Sequence, residues 1–236
     1  MKAFDRFEMV PKQSVKTPIP ENFQAVLEGV EDGEEKLAIV FQYREKIGCL
    51  LYYLICMRPE ITYAVGLFAR CTNKVNRIVC AGVTQSLQYC YNTRSMRLAL
   101  GGDRAYITAY YDSDWAGDRA ARKSTGAYLI FLGVGPVEWA SKIQRIPEQS
   151  SAEAKFLAAN APTKSIMWIR WLLTQTGIES LITKYSSTLF GDNTASIAMA
   201  SNPVHHDRTK HIAIKYFFIR ELVEAGVILM EHIDTL

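Results

Sequence analysis

Between Tyr106 and Ile233 the apolar residues change period several times, and that succession is the tightest constraint the sequence places on the fold. Three short runs, at 106–112, 125–132 and 136–140, are rich in β-branched and aromatic residues and are joined by polar or glycine-containing turns at 116–123 and 133–135. They read as three consecutive strands. The pattern then takes a helical period over 151–174 and returns to a strand at 186–190. It continues through helix 193–200, a loop at Asn202-Pro203, helix 209–225 and a last strand at 227–233. In helix 209–225, Ile212, Tyr216, Ile219 and Leu222 with Val223 form an apolar stripe, which Gly226 closes. Three strands followed by alternating helix and strand predict an α/β fold: a mixed five-stranded sheet with flanking helices.

The first hundred residues have a different character. Residues 1–40 carry Pro11, Pro18, Pro20 and the acidic run Glu31-Asp32-Gly33-Glu34-Glu35, and read as an extended lead-in. Three helices are expected next, over 43–57, from Pro59 to about Cys71, and over about 77–93. The expected division is therefore a lead-in at 1–40, a small helical domain at 41–103 and the α/β domain at 104–236. All five cysteines lie in the first half with no C-x-x-C pair, and the four histidines follow far downstream. Reduced, packed thiols fit this better than a disulfide framework or a zinc site. No signal peptide is visible, and the longest apolar run, Gly48 to Met57, is too short to span a bilayer. A cytoplasmic or nuclear location without a membrane partner is expected. Residues 41–100 hold eight Lys/Arg against two Asp/Glu, a surplus that could follow a phosphate backbone or simply be a solvated basic face.

Three carboxylates stand at junctions of the predicted α/β unit. Asp112 follows the first strand, Glu153 opens the long helix, and Asp192 joins the fourth strand to its helix. Each also has a plain structural reading. Asp112 suits a turn, Glu153 completes a capping box with Ser150, and Asp192 suits a helix N-cap. Together, carboxylates that converge at one sheet end are what a Mg²⁺-dependent phosphodiester-cleaving site needs, since Mg²⁺ takes oxygen ligands and is shared with substrate phosphate. Two such ions can stabilise the attacking and leaving oxygens of an in-line displacement.

The stretches around these residues are Tyr111-Asp112-Ser113-Asp114-Trp115-Ala116-Gly117-Asp118, Arg122-Lys123-Ser124-Thr125, Trp139-Ala140-Ser141-Lys142, Ser150-Ser151-Ala152-Glu153-Ala154, Trp168-Ile169-Arg170, Asp192-Asn193 and Arg208-Thr209-Lys210-His211-Ile212. In that order they resemble the ribonuclease H domain of copia-type LTR retrotransposon polyproteins. Upstream, Arg6-Phe7-Glu8-Met9, Thr17-Pro18, Tyr43 to Tyr52 and Arg58 to Val65 resemble the thumb or connection segment that follows the reverse transcriptase palm. The resemblance implies a ribonuclease H-like sheet. It also implies Asp112, Glu153 and Asp192 as catalytic ligands of Mg²⁺, with Mn²⁺ as a substitute, and the RNA strand of an RNA–DNA hybrid as substrate. Arg122, Lys123, Ser141, Lys142, Arg208 and Lys210 are the implied phosphate or sugar contacts, each with the alternative of a solvent-exposed polar group. His206 is a candidate for assisting product release. Trp115, Trp139, Trp168 and Trp171 are expected in the core rather than stacked on bases.

Several positions depart from the family pattern. The chain reads Ile233-Asp234-Thr235-Leu236 after His232, so the family's fourth carboxylate, in a C-terminal helix, is expected to be missing. Ala213 stands where the family has an acidic residue. Lys155 replaces a second Glu and puts a cation two residues from Glu153, where it would blunt a metal response if it reached the cluster. Pro162 is expected to kink or break the long helix. No palm with an Asp-Asp pair is present, so the chain is not a reverse transcriptase alone and a separate palm polypeptide would be its partner. These departures predict impaired cleavage, with a nucleic-acid-binding module that has lost catalysis as the alternative.

Overall fold

The computed structural model describes residues 2–10, 15–28, 35–102, 106–118, 123–144, 150–178, 185–201 and 210–234. At 2, 3, 25, 27, 28, 35, 36, 115–118, 201 and 210–213 it describes the backbone alone. The chain divides into two units, Met1–Leu98 and Ala99–Leu236. Among the described residues, no helix is long and apolar enough to cross a membrane.

The first unit is helical: α1 (Lys2–Arg6), α2 (Phe23–Glu28), α3 (Glu35–Val40), α4 (Tyr43–Met57), α5 (Thr62–Arg70) and α6 (Arg77–Asn92). A 3₁₀ turn with Pro59 in its first position leads into α5, as the sequence suggests. Asn76 caps α6, accepting from the Val79 amide at 2.9 Å. The core gathers Leu50, Ile61, Val65, Phe68, Val83 and Leu87. Tyr43 is buried with them because its hydroxyl donates to the Phe68 carbonyl at 2.7 Å. Where an extended lead-in was expected over 1–40, the described stretches hold three short helices. Phe4 and Phe23 are buried in the same core, and Phe23 packs edge-on against Phe68. Two buried aromatic side chains anchor the segment more strongly than its proline and acidic content suggested.

The second unit contains β1 (Ile107–Asp118), β2 (Lys123–Leu132), β3 (Gly135–Ile143), α7 (Ser151–Gln175), β4 (Ser187–Gly191), α8 (Thr194–Ser201), α9 (Lys210–Glu224) and β5 (Ile228–His232). The strands form the expected mixed five-stranded sheet, in the order β3-β2-β1-β4-β5. β1, β2 and β3 pair antiparallel, while β4 runs parallel to both β1 and β5. One face is buried: Ile107, Ala109 and Tyr111 of β1, Ile130 of β2 and Leu189 of β4 pack with Phe156, Ala159 and Ile166 of α7 and Ile219 of α9. Strand alternation then puts Tyr110 and Asp112 on the other, more exposed face. The α9 stripe is confirmed for Tyr216, Ile219, Leu222 and Val223. Gly226 ends it at a φ of 68°, with Val227 N–H reaching the Leu222 carbonyl at 2.9 Å.

Two expectations need correction. Pro162 does not break α7, which runs unbroken for 25 residues with Pro162 buried. Helix packing on the sheet holds the segment despite the lost amide donor, and the Thr163 hydroxyl donates to the Ala159 carbonyl at 2.8 Å nearby. Trp168 and Trp171 are not core residues; both are more than half exposed. The buried stripe of α7 runs through Phe156, Ala159, Thr163, Ile166 and Ile169, and at 100° per residue positions 168 and 171 fall off it.

Candidate active site

Asp112 and Asp192 are brought together by the one parallel contact in the middle of the sheet. β1 and β4 are in register through Thr108–Thr188, Ala109–Leu189 and Tyr110–Phe190. The chain therefore delivers Asp112 and Asp192 to the same level, one strand spacing apart, roughly 4.8 Å. Asp112 is exposed, and one of its carboxylate oxygens accepts the Ser113 amide at 2.6 Å. Asp192 lies just past β4 and does not cap α8. Asn193 does so, its side chain accepting the Ser196 amide at 2.8 Å. This leaves the Asp192 carboxylate to face Asp112.

Between them lies Lys155. Its Nζ is 2.5 Å from Asp192 Oδ1 and 3.2 Å from Asp112 Oδ1. Burial disfavours the ammonium, but hydrogen bonding to Asp192 and the charge of Asp112 outweigh it and hold Lys155 above the ordinary lysine range. Close by, burial pushes the Tyr111 hydroxyl upward. Its hydrogen bond to Ser196 opposes that rise and the Asp192 charge adds to it.

Glu153 opens α7, where Ser150 caps the helix by accepting the Glu153 amide at 3.2 Å. The residue is almost fully buried. The helix start is tied to β1 by Gln144, whose Nε2 donates to Ser113 Oγ at 3.2 Å and to the Ala154 carbonyl at 3.0 Å. Glu153 is thus fixed beside the strand that carries Asp112. Even so, among the described residues no three His, Cys, Asp or Glu side chains come together as a ligand set. A divalent ion does not fit this arrangement, because the space between Asp112 and Asp192 holds the Lys155 ammonium.

The expected nucleic-acid contacts divide in three. Ser141 pairs with Ala127, which pairs with Asp112, so Ser141 sits two strands across at the same sheet end, with exposed Lys142 next to it. Lys123 starts β2 opposite Asp118. Arg122, Arg208 and His206 lie outside the described residues, and Lys210 is described only as backbone at the start of α9.

Gln144 and His232 went unnoticed in the sequence. His232 pairs with Gly191, and its Nε2 is 3.3 Å from the Asp192 carbonyl, while Nδ1 is 3.7 Å from Asp234 Oδ1. The parallel register of β4 and β5 is what brings it there, and a lone histidine at a strand end carries no local signal of such pairing.

No family model matches the chain. It is 33% identical over 232 residues to the retrovirus-related Pol polyprotein from transposon RE1 of Arabidopsis thaliana, a match that covers 98% of this chain and 15% of that protein. The corresponding polyprotein from transposon TNT 1-94 of Nicotiana tabacum is 29% identical over 236 residues, covering 99% of this chain and 18% of the relative. The chain thus spans less than a fifth of the length of these polyproteins. Among solved structures, the foamy viral protease-reverse transcriptase dRH in complex with double-stranded DNA aligns with a TM-score of 0.49 at 10% identity, over 92% of this chain and 35% of that one.

Proposed function

The chain belongs to the copia-type retrotransposon Pol family, and from that premise we propose that its second unit is a ribonuclease H-type module that engages RNA–DNA hybrids and cleaves their RNA strand weakly. The observation that supports this reading is the meeting of Asp112 and Asp192 at a single cation supplied by the first turns of α7, the helix that Glu153 opens. Two carboxylates brought this close repel one another, and a cation in contact with both relieves that repulsion.

In this reading Asp112, Glu153 and Asp192 are the residues of the reaction centre. Lys123, Ser141 and Lys142 belong to the flank that meets phosphate and sugar, together with Arg122, Arg208 and Lys210. The RNA strand would be recognised through its 2′-hydroxyls in a wide, shallow minor groove. Mg²⁺ or Mn²⁺ is the cofactor such a reaction calls for. The position it would take is filled by Lys155, so impaired turnover is part of the proposal. The same lysine favours a second reading, a binding module without catalysis. A cytoplasmic or nuclear location and a separate polypeptide with the polymerase palm belong to the same proposal.

The test is a cleavage assay on a labelled RNA–DNA hybrid in Mg²⁺ and in Mn²⁺, beside hybrid binding by fluorescence polarisation and an Asp112→Asn control. Slow cleavage that Asp112→Asn abolishes supports the impaired enzyme. Salt-sensitive hybrid binding without cleavage supports the binding module. Absence of both sinks the proposal.

A further inference from the structure

We propose that Lys155 is a resident counter-cation that takes the place of a divalent ion between Asp112 and Asp192, so that the unit is stable without metal and binds it weakly. The proposal deepens the reading of this site as a reaction centre, but it does not require that a hybrid be the substrate.

The argument is geometric. Lys155 belongs to the first turns of α7, two residues after Glu153, and its stem reaches across the sheet end to both carboxylates. Asp112 lies in β1 and Asp192 directly follows β4, two residues beyond the last pair of the β1–β4 ladder, so the ladder keeps them close to one another. One positive charge in contact with both therefore relieves a repulsion that the fold would otherwise force on them. The lysine side chain is only 17% exposed, so its charge is largely withdrawn from water and committed to this pair. A lysine ammonium is a compact point charge with several donors, close in role to a small hydrated cation. Mg²⁺ is commonly bound through one or two carboxylates and keeps much of its water, so removing the ammonium would leave a pair able to hold an ion.

The experiment uses the full chain without nucleic acid. Melting temperature and Mn²⁺ binding, read from the loss of the free-ion electron paramagnetic resonance signal, are measured for wild type, Lys155→Met, Lys155→Gln and Lys155→Arg. Circular dichroism checks that each variant is folded. Expected is a wild type whose melting temperature does not move with ~10 mM Mg²⁺, well above the dissociation constant a functional site would need. Lys155→Met should melt several degrees lower in metal-free buffer and recover with Mg²⁺. It should also bind Mn²⁺ at least ten-fold more tightly than wild type, and adding Asp192→Asn should remove that gain. Lys155→Arg, which keeps the charge, should remain indifferent to metal. If Lys155→Met does not fold, Lys155→Gln carries the same comparison. Wild type that binds Mn²⁺ as tightly as the Met or Gln variant, or a folded variant that gains no metal response, overturns the proposal. Because no hybrid is present, neither outcome depends on whether the cleavage assay succeeds.

Discussion

Gly191 is the residue on which the geometry of the acidic pair turns. It ends β4, immediately before Asp192, and lies flat against the ring of Tyr111, immediately before Asp112. A Cβ added there would stand 2.5 Å from Tyr111 Cζ and from its hydroxyl oxygen, and 2.8 Å from Cε1. Carbon atoms in good contact are about 3.5–4 Å apart, so Gly191→Ala requires a displacement of about 1 Å. Tyr111 has no room to give it, being 5% exposed and packed in the core of the second unit. Overpacking of this kind costs about 1–3 kcal/mol. For a unit of about 140 residues, in which 1 kcal/mol moves the midpoint by roughly 3 °C, the expected fall in Tm is about 3–9 °C. Calorimetric melting of wild type, Gly191→Ala and the double variant Gly191→Ala/Tyr111→Val measures it. In the double variant the clash is gone, so adding the alanine to Tyr111→Val should cost little. A midpoint for Gly191→Ala within ~1 °C of wild type would refute the reasoning, since that is below the smallest overpacking cost expected.

Other perturbations report on other parts of the molecule. Asn193→Ala removes the cap that satisfies the Ser196 amide and should cost about 1 kcal/mol in urea unfolding, whereas Asn193→Asp, which can still accept that amide, should cost much less. In the first unit, Tyr43→Phe removes one of two donors to the Phe68 carbonyl, which keeps the Cys71 amide, and should cost about 1 kcal/mol in urea unfolding. Burial pushes the Cys90 thiol up to about 11 from 9.0, with the Arg58 charge opposing the rise. The folded state thus holds that proton more tightly than the unfolded chain. The contribution is complete below pH ~9 and is lost as pH rises toward ~11, on the order of 2 kcal/mol. Unfolding free energies at pH 8 and pH 10.5 should differ less in Cys90→Ala than in wild type, and an equal pH dependence would count against the assignment.

The element order was legible because each segment of the second unit carries its own period. Ile107, Ala109 and Tyr111 alternate with Thr108 and Tyr110, while Tyr216, Ile219 and Val223 recur at helical spacing. Those patterns express which face is buried, and burial decides the fold. The proximity of Asp112 and Asp192 could be anticipated only through the resemblance, since the parallel pairing that creates it joins strands distant in sequence. Lys155 was recognisable as an odd residue near Glu153, but not as the partner of both aspartates. Which way a long side chain reaches depends on how α7 packs, and nothing local encodes that. The plain reading of Asp192 as a helix cap gives way to Asn193 for the same kind of reason. Asp and Asn both suit the position before a helix, and a shift of one residue decides which carboxyl or amide turns inward. The tryptophans of α7 were assigned to the core on the apolar character of their neighbours, when phase around the helix was the deciding property.

The strand order has a consequence for how the acidic pair comes into being. In the meander of β1, β2 and β3 each strand pairs with the next one in sequence, a short search along the chain. The β1–β4 ladder is different: it unites Asp112 with a residue about 80 positions later, after the chain has left the edge strand β3 and crossed back past two strands. The carboxylate pair therefore has no precursor in either half of the sheet, and a chain arrested at the meander would hold Asp112 alone. The ion pair that spans β1 and α7 on one side and β4 on the other records that the sheet has been completed.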